Sequence, residues 1–354
     1  METGLVNIIE VMSELNVSVN AEIVSKRTVV AMALKVRSMG VTGKKEASML
    51  KKDQYNLMLS TYLCDVGMEQ MKKNDKAGLS REEYAYIKNH PIISYLMIGN
   101  LSGIDHKVKF NVLNHHRPFR GEGLNNNYPE QKAMIEKLST YKTKYASDLS
   151  KNLLVDDISR QLKYYEEPQA QYEEDINIIS IASDFASLTS KQPWREAYTS
   201  VQAMKVILNN SFFMYNDRII RELFDRIGLS LCNNTSVINK GDYVVVAYLD
   251  SSRKYFFEIC IVESIFKEQT KPILERVGTI QPIFKNVGKY VLDGFNLSTL
   301  NIDKRKAKFN LLTDPRRIIY FIDPELTPEL YKTVHKEIVR FHPSLAKEEL
   351  SGNE

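Results

Sequence analysis

Three cysteines in 354 residues, Cys64, Cys232 and Cys260, are few, far apart and odd in number. They exclude a disulfide framework and fit a reducing compartment. Long apolar runs are also missing: no stretch reaches the length that spans a bilayer, so no membrane insertion is expected. The opening residues METGLVNIIEVMSELNVSVN lack the basic start and apolar core of a secretory leader, which makes the cytoplasm the expected location. Neither charge sign dominates. With 48 basic and 44 acidic residues the net charge is +4, too small an imbalance to argue for DNA. Histidine is rare at six residues, so the adjacent pair His115-His116 stands out. What remains is an ordinary globular balance, 43% hydrophobic and 26% charged, in a chain long enough for two domains.

The periodicity predicts an α+β chain. After an N-terminal extension over 1–19, read as a short helix and a loop, helical spacing runs from about Asn20 to Met39, with Gly40 as a stop. A second helix is expected from Lys44 to Val66. Ser80 and Glu83 have capping-box spacing and open a third, in which Pro91 should kink the chain near His90. Another helix from about Asp105 leads into His115-His116. Residues 125–174 read as an insertion, with one or two exposed helices over 130–170. Apolar helical spacing returns near Asp175, and helices at about 200–208 and 215–229 close a first domain spanning 20–230. Beyond Val237 the period changes to two, with DYVVVAYLD, YFFEICIVES, RVGTIQPIF and RIIYFID as strands of a smaller, mostly β domain over 235–323. A terminal helix and tail occupy 324–354.

Neighbouring helical residues point about 100° apart, so His115 and His116 share a site only if the helix end unwinds there, as Pro118 and Gly121 suggest. Asp65, His90, His115, His116 and Asp184 all lie on apolar helical segments, where a charged or imidazole group must be paired or ligate a metal. Taken singly, His90 reads as a satisfied core histidine and Asp184 as a cap or a buried ion pair, while the pair His115-His116 fits either reading. Taken together they suit a site of mixed nitrogen and oxygen ligands for iron, manganese or zinc.

Four ordered blocks carry a family resemblance: Cys64-Asp65-Val66-Gly67-Met68; Leu79-Ser80 through His90-Pro91; His115-His116 through Gly121-Glu122-Gly123; and Ser183-Asp184 through Ala186-Ser187-Leu188-Thr189-Ser190 and Pro193-Trp194-Arg195. This order resembles the HD-GYP family over roughly residues 20–230. The resemblance implies a mainly helical domain that hydrolyses cyclic di-GMP with divalent ions, iron or manganese, with zinc as the alternative. By the same resemblance Asp65 is the bridging, catalytic carboxylate, His90, His115 and His116 are metal ligands, Asp184 is a further ligand, and the loop bearing Gly121 and Gly123 faces the nucleotide. The stretch Lys240-Gly241-Asp242-Tyr243-Val244-Val245-Val246 is similar to the short β unit that often ends such proteins.

The departures are equally specific. Cys64 stands where the family has histidine, Met68 replaces lysine, Arg117 replaces glutamate, Arg120 replaces aspartate, and Gly123-Leu124-Asn125 replaces GYP. Glu22 and Lys26 fall near the place of a first-helix glutamate and histidine. One metal is therefore expected to bind well and a second weakly. Cys64 is either a thiolate that favours zinc at the second position or a small buried core residue. Arg117 and Arg120 suit phosphate binding by charge-assisted hydrogen bonds. The clusters Lys304-Arg305-Lys306 and Arg316-Arg317 suit a phosphate or acidic partner, or are solvated. The expected function is a cyclic di-GMP phosphodiesterase. The alternative is a catalytically impaired cyclic di-GMP receptor or scaffold that meets a protein partner through 130–170 or the β domain; a homodimer is compatible with either.

Overall fold

A computed structural model describes residues 20–38, 44–70, 80–117, 129–167, 170–192, 195–287 and 289–343. The expected N-terminal extension, the stop at Gly40 and the end of the tail lie outside them. The chain is α+β, with helices followed by a five-stranded antiparallel sheet. Its contacts divide it into two compact units, one drawn from Met1–Tyr198 and Met214–Ile219, the other from Thr199–Phe213 and Ile220–Glu354. Among the described residues, no helix is long and apolar enough to cross a membrane.

The first unit is helical: α1 Ala21–Ser38, α2 Lys44–Leu63, a 3-10 turn Val66–Gln70, α3 Arg81–Gly99, α4 His106–Asn114, α5 Gln131–Tyr145, α6 Asn152–Glu166 and α7 Ala170–Leu188. The capping box at Ser80 is present, with Ser80 Oγ accepting from Glu83 N at 3.1 Å and Glu83 Oε2 accepting from Ser80 N at 2.7 Å. Helix α3 runs through Pro91. Helices α5 and α6 cover the stretch read as exposed. Helix α5 buries Met134 and Leu138, and α6 buries a whole face, with Leu154, Asp157, Ile158, Gln161, Tyr164 and Tyr165 inside. The tyrosine-rich composition disguised this, because Asp157 is made tolerable there by partners from other helices. Tyr95 donates to it at 2.8 Å and His106 Nδ1 at 2.6 Å. A second buried cluster joins α1, α4 and α7: Asp175 lies 2.7 Å from Lys35 Nζ and 2.8 Å from Lys107 Nζ.

The second unit holds α8 Ser200–Met214 up to Phe213, then helical turns through Leu231. Strands β1 Tyr243–Leu249, β2 Tyr255–Ser264, β3 Ile273–Val287, β4 Lys289–Asn310 and β5 Arg317–Ile322 follow, and then helix α11 Pro328–Phe341. The turns are α9 Asp217–Glu222, the π-helical Leu223–Ile227 and α10 Gly228–Leu231, with α9 crossing the division between the units. The strand order is β4-β3-β2-β1-β5. Alternate residues Tyr243, Val245 and Ala247 of β1, with Phe257, Ile259 and Ile261 of β2, form the apolar face that α11 covers with Val334 and Ile338. Strand β4 has no counterpart in the expected segments. Its Asn, Asp and Lys content is poor for a strand, and pairing with β3 overrides that preference.

The expected boundary at 230 also differs, because α8 groups with the sheet. Lys205 Nζ meets Asp323 at 2.7 Å, and the Asn209 amide brackets the edge strand β5 by accepting from Phe321 N at 2.6 Å and donating to its carbonyl at 3.3 Å. Of the basic clusters, Lys306 is paired with Glu275 at 2.9 Å, and Arg316 with Glu258 at 2.7 Å and Asp314 at 2.8 Å.

Candidate metal centre

Asp65 follows the end of α2 in a tight turn, and Gly67 sets how closely that turn approaches α3. Gly67 N donates to Ser94 Oγ at 2.9 Å, and the Gly67 carbonyl accepts from Tyr86 at 2.5 Å. A Cβ at Gly67 would lie 2.7 Å from Ser94 N, a backbone atom that cannot step aside. The glycine of the Asp65-Val66-Gly67 motif thus brings the carboxylate against the helix that carries His90. Gly67→Ala is expected to destabilise the unit by about 1–3 kcal/mol and to weaken divalent-ion binding. Thermal melts with and without added ion check this, and an unchanged melting temperature would show that the turn has room.

His90 lies one residue before Pro91. Proline has no N–H, so the Ile87 carbonyl loses its helical partner, and His90 Nδ1 takes that place at 2.5 Å. A carbonyl only accepts, so Nδ1 carries the proton and, in the neutral ring, Nε2 presents a lone pair. The same logic holds at His115, whose Nδ1 donates to the Val112 carbonyl at 2.8 Å. Helix α4 ends at Asn114 with His115 as its C-cap, followed by a turn in which Arg117 N donates to the Asn114 carbonyl at 2.8 Å. This loosened end lets the adjacent rings converge, with the centroids of His115 and His116 4.1 Å apart and those of His90 and His116 5.2 Å apart.

Three acceptor atoms meet as a result. His90 Nε2 lies 3.0 Å from His115 Nε2, and Asp65 Oδ1 lies 3.3 Å from the first and 3.7 Å from the second. Three lone pairs in such a triangle repel one another unless a cation or proton sits between them. Ligands about 2.1 Å from a transition metal are separated by about 3.0 Å at right angles and about 3.4 Å in a tetrahedron, so the triangle fits an ion of that kind. One donor atom each from His90, His115 and His116 also falls within 4.8 Å of the others.

The electrostatics agree with the geometry. Burial raises the Asp65 carboxyl, but the Arg27 charge beside it opposes this, and the group is held well below the usual carboxylate range. Burial lowers both His115 and His116, His116 the more strongly because His115 and His90 lie beside it, so both stay neutral and able to ligate.

The other expected residues divide. Cys64 is fully buried, donates to the Thr61 carbonyl at 3.6 Å, and is pushed by burial up to about 12, which keeps it a thiol. It nonetheless forms a second close group with Asp65 and His115. Asp184 accepts from the Tyr215 hydroxyl, and burial raises it to about 6 against that bond; it is in neither close donor group among the described residues. Glu22 is mostly exposed and paired with Lys26 at 2.7 Å, while Lys26 reaches the Thr189 carbonyl at 2.8 Å and ties α1 to the end of α7. Arg117 donates to Tyr164 at 3.0 Å and lies over its ring, 5.2 Å from the centroid. Arg195 closes the end of α7 by donating to the Ser187 carbonyl at 2.8 Å and the Leu188 carbonyl at 3.0 Å. Arg120, Gly121 and Gly123 lie outside the described residues.

Arg27 was not anticipated. Its side chain is 1% exposed and its Nη1 donates to Asp65 Oδ2, the oxygen turned away from the histidine pair. A signal was there to read. Val24, Arg27, Ala31 and Leu34 follow the three-and-four spacing of a buried helix face, and an arginine in such a stripe requires a carboxylate. No protein-family model, curated protein or solved structure matches the chain. The HD-GYP resemblance therefore rests on its four motif blocks.

Proposed function

We propose that the helical unit is a metal-dependent phosphodiesterase centre, with cyclic di-GMP as the substrate that the motif resemblance names. The observation that carries this reading is the triangle of His90 Nε2, His115 Nε2 and Asp65 Oδ1, three acceptor atoms that one cation would satisfy. Asp65, His90 and His115 would hold the ion, with His116 beside them. Bound there, a divalent ion supplies Lewis-acid polarisation of a phosphoryl oxygen and an activated water near neutral pH. The chain's own part is to keep Asp65 ionised, to fix the tautomers of His90 and His115 through the Ile87 and Val112 carbonyls, and to place the Arg27 cation beside the carboxylate.

A second reading, binding without turnover, is favoured by Arg27 on Asp65 Oδ2 and by the protonated Cys64. One assay separates the two. The purified chain, loaded anaerobically with ferrous iron or manganese, is given cyclic di-GMP and the products are resolved. Linear dinucleotide or GMP is expected from the wild type, with loss of at least a hundredfold in Asp65→Ala. Bound but intact cyclic di-GMP would replace the enzyme reading with the receptor.

A further inference from the structure

Two close groups of donor atoms meet at His115, and Asp65 of the second also lies 3.3 Å from His90 of the first. One opens toward His90 and His116, and the other includes Cys64. A carboxylate in that position has an oxygen for each side. Here the two oxygens are treated differently: Oδ1 faces the histidine nitrogens, and Oδ2 is held by Arg27 Nη1. Guanidinium does not deprotonate in proteins, so the charge on that side is permanent. It is also fixed in place. Val24, Val30, Ala31 and Leu34 of the same helix are buried around it, and the next residue, Thr28, hydrogen-bonds Thr61 of α2 at 2.7 Å. Two of its donor groups, at Nε and Nη2, find no acceptor among the described residues. Buried donors ordinarily have partners, so these suit a cation kept for an anionic ligand beside the ion.

We infer that Arg27 is the resident second cation of this centre, and that the chain consequently takes one metal ion, on the histidine side of Asp65. The inference rests on the metal-centre reading above and extends it. An ion on the Cys64 side would lie next to the Arg27 charge, which acts on both Cys64 and Asp65 and cannot leave. Removing that charge should open the second position to Cys64 and Asp65 Oδ2.

Cobalt(II) titration tests this, because a cobalt–thiolate bond adds an intense near-ultraviolet band that oxygen and nitrogen ligands do not give. The wild type is expected to saturate at one equivalent without that band. Arg27→Gln should take a second equivalent and gain the band, and Cys64→Ser in that background should remove it. Arg27→Lys, which keeps the charge, should stay at one equivalent. Two equivalents in the wild type or in Arg27→Lys, or a single equivalent without the band in folded Arg27→Gln, would overturn the role of Arg27 while leaving the centre intact. Absence of any cobalt in the wild type would instead remove the metal-centre reading on which the inference stands. Should Arg27→Gln not fold, the wild type and Arg27→Lys decide the matter.

Discussion

His115→Gln is expected to abolish divalent-ion binding at the centre while leaving the ion-free fold nearly as stable as before. His115 belongs to both close donor groups and lies at the buried end of α4, so no other ring can take its place. Glutamine is similar in length but presents no imidazole nitrogen at the Nε2 position. In the ion-free protein the loss is small, because His115 Nε2 faces two other acceptors and makes the triangle repulsive. With ion at a hundred times its dissociation constant, the wild type gains about 2.7 kcal/mol. For a helical unit of about 200 residues that is a rise in melting temperature of about 5–10 °C. The variant should lose that rise, and its turnover should fall to the no-enzyme background. The check is differential scanning fluorimetry over a manganese or iron series, run beside the product assay. A variant that keeps the ion-dependent rise would show that the ion sits elsewhere.

The second large effect concerns stability. Asp175→Ala should destabilise the protein by about 3–5 kcal/mol, as expected when one partner of a buried ion pair is removed. Asp175 is fully buried and takes one lysine on each oxygen, Lys35 from α1 at 2.7 Å and Lys107 from α4 at 2.8 Å. Lys35 also meets Glu174, at 3.3 Å, and Lys107 meets Asp53, at 3.1 Å. Without Asp175 two ammonium groups stand in a low-dielectric interior, and the tie among three helices is lost. The charge matters more than the volume, so Asp175→Asn should cost nearly as much as alanine. Urea denaturation checks both variants through a lower midpoint at an unchanged slope. A silent Asp175→Asn would mean that the two lysines are satisfied without the Asp175 charge.

The sequence was most legible where a local chemical rule had no competitor. Ser80 and Glu83 could be read as a helix start because the capping box satisfies two backbone donors within four residues, and both bonds are present. The unwinding at His115-His116 followed from the angle between neighbouring helical residues, and α4 does end there. The convergence of His90, His115 and Asp65 was legible only as a set, through the motif order. What was missed depended on distant partners. Strand β4 exists because β3 lies beside it, not because of its composition. The buried face of α6 depends on Tyr95 and His106 reaching Asp157 from elsewhere in the fold. Arg27 was passed over because an arginine on a helix is usually solvated; only the apolar stripe on either side of it said otherwise.

The carbonyl left without a helical partner by Pro91 has a consequence for how this centre tolerates change. Where a carboxylate side chain orients a ligating histidine, one codon change can delete it. Here the orienting groups for His90 and His115 are the main-chain oxygens of Ile87 and Val112. Substituting Ile87 or Val112 alters packing but leaves the oxygen in place. The aim of the two rings is therefore inherited with the helices themselves. Side chains around them can change while the pair that faces Asp65 keeps its geometry. Erasing it would take a change of backbone, such as a residue with an N–H at position 91 or a longer α4.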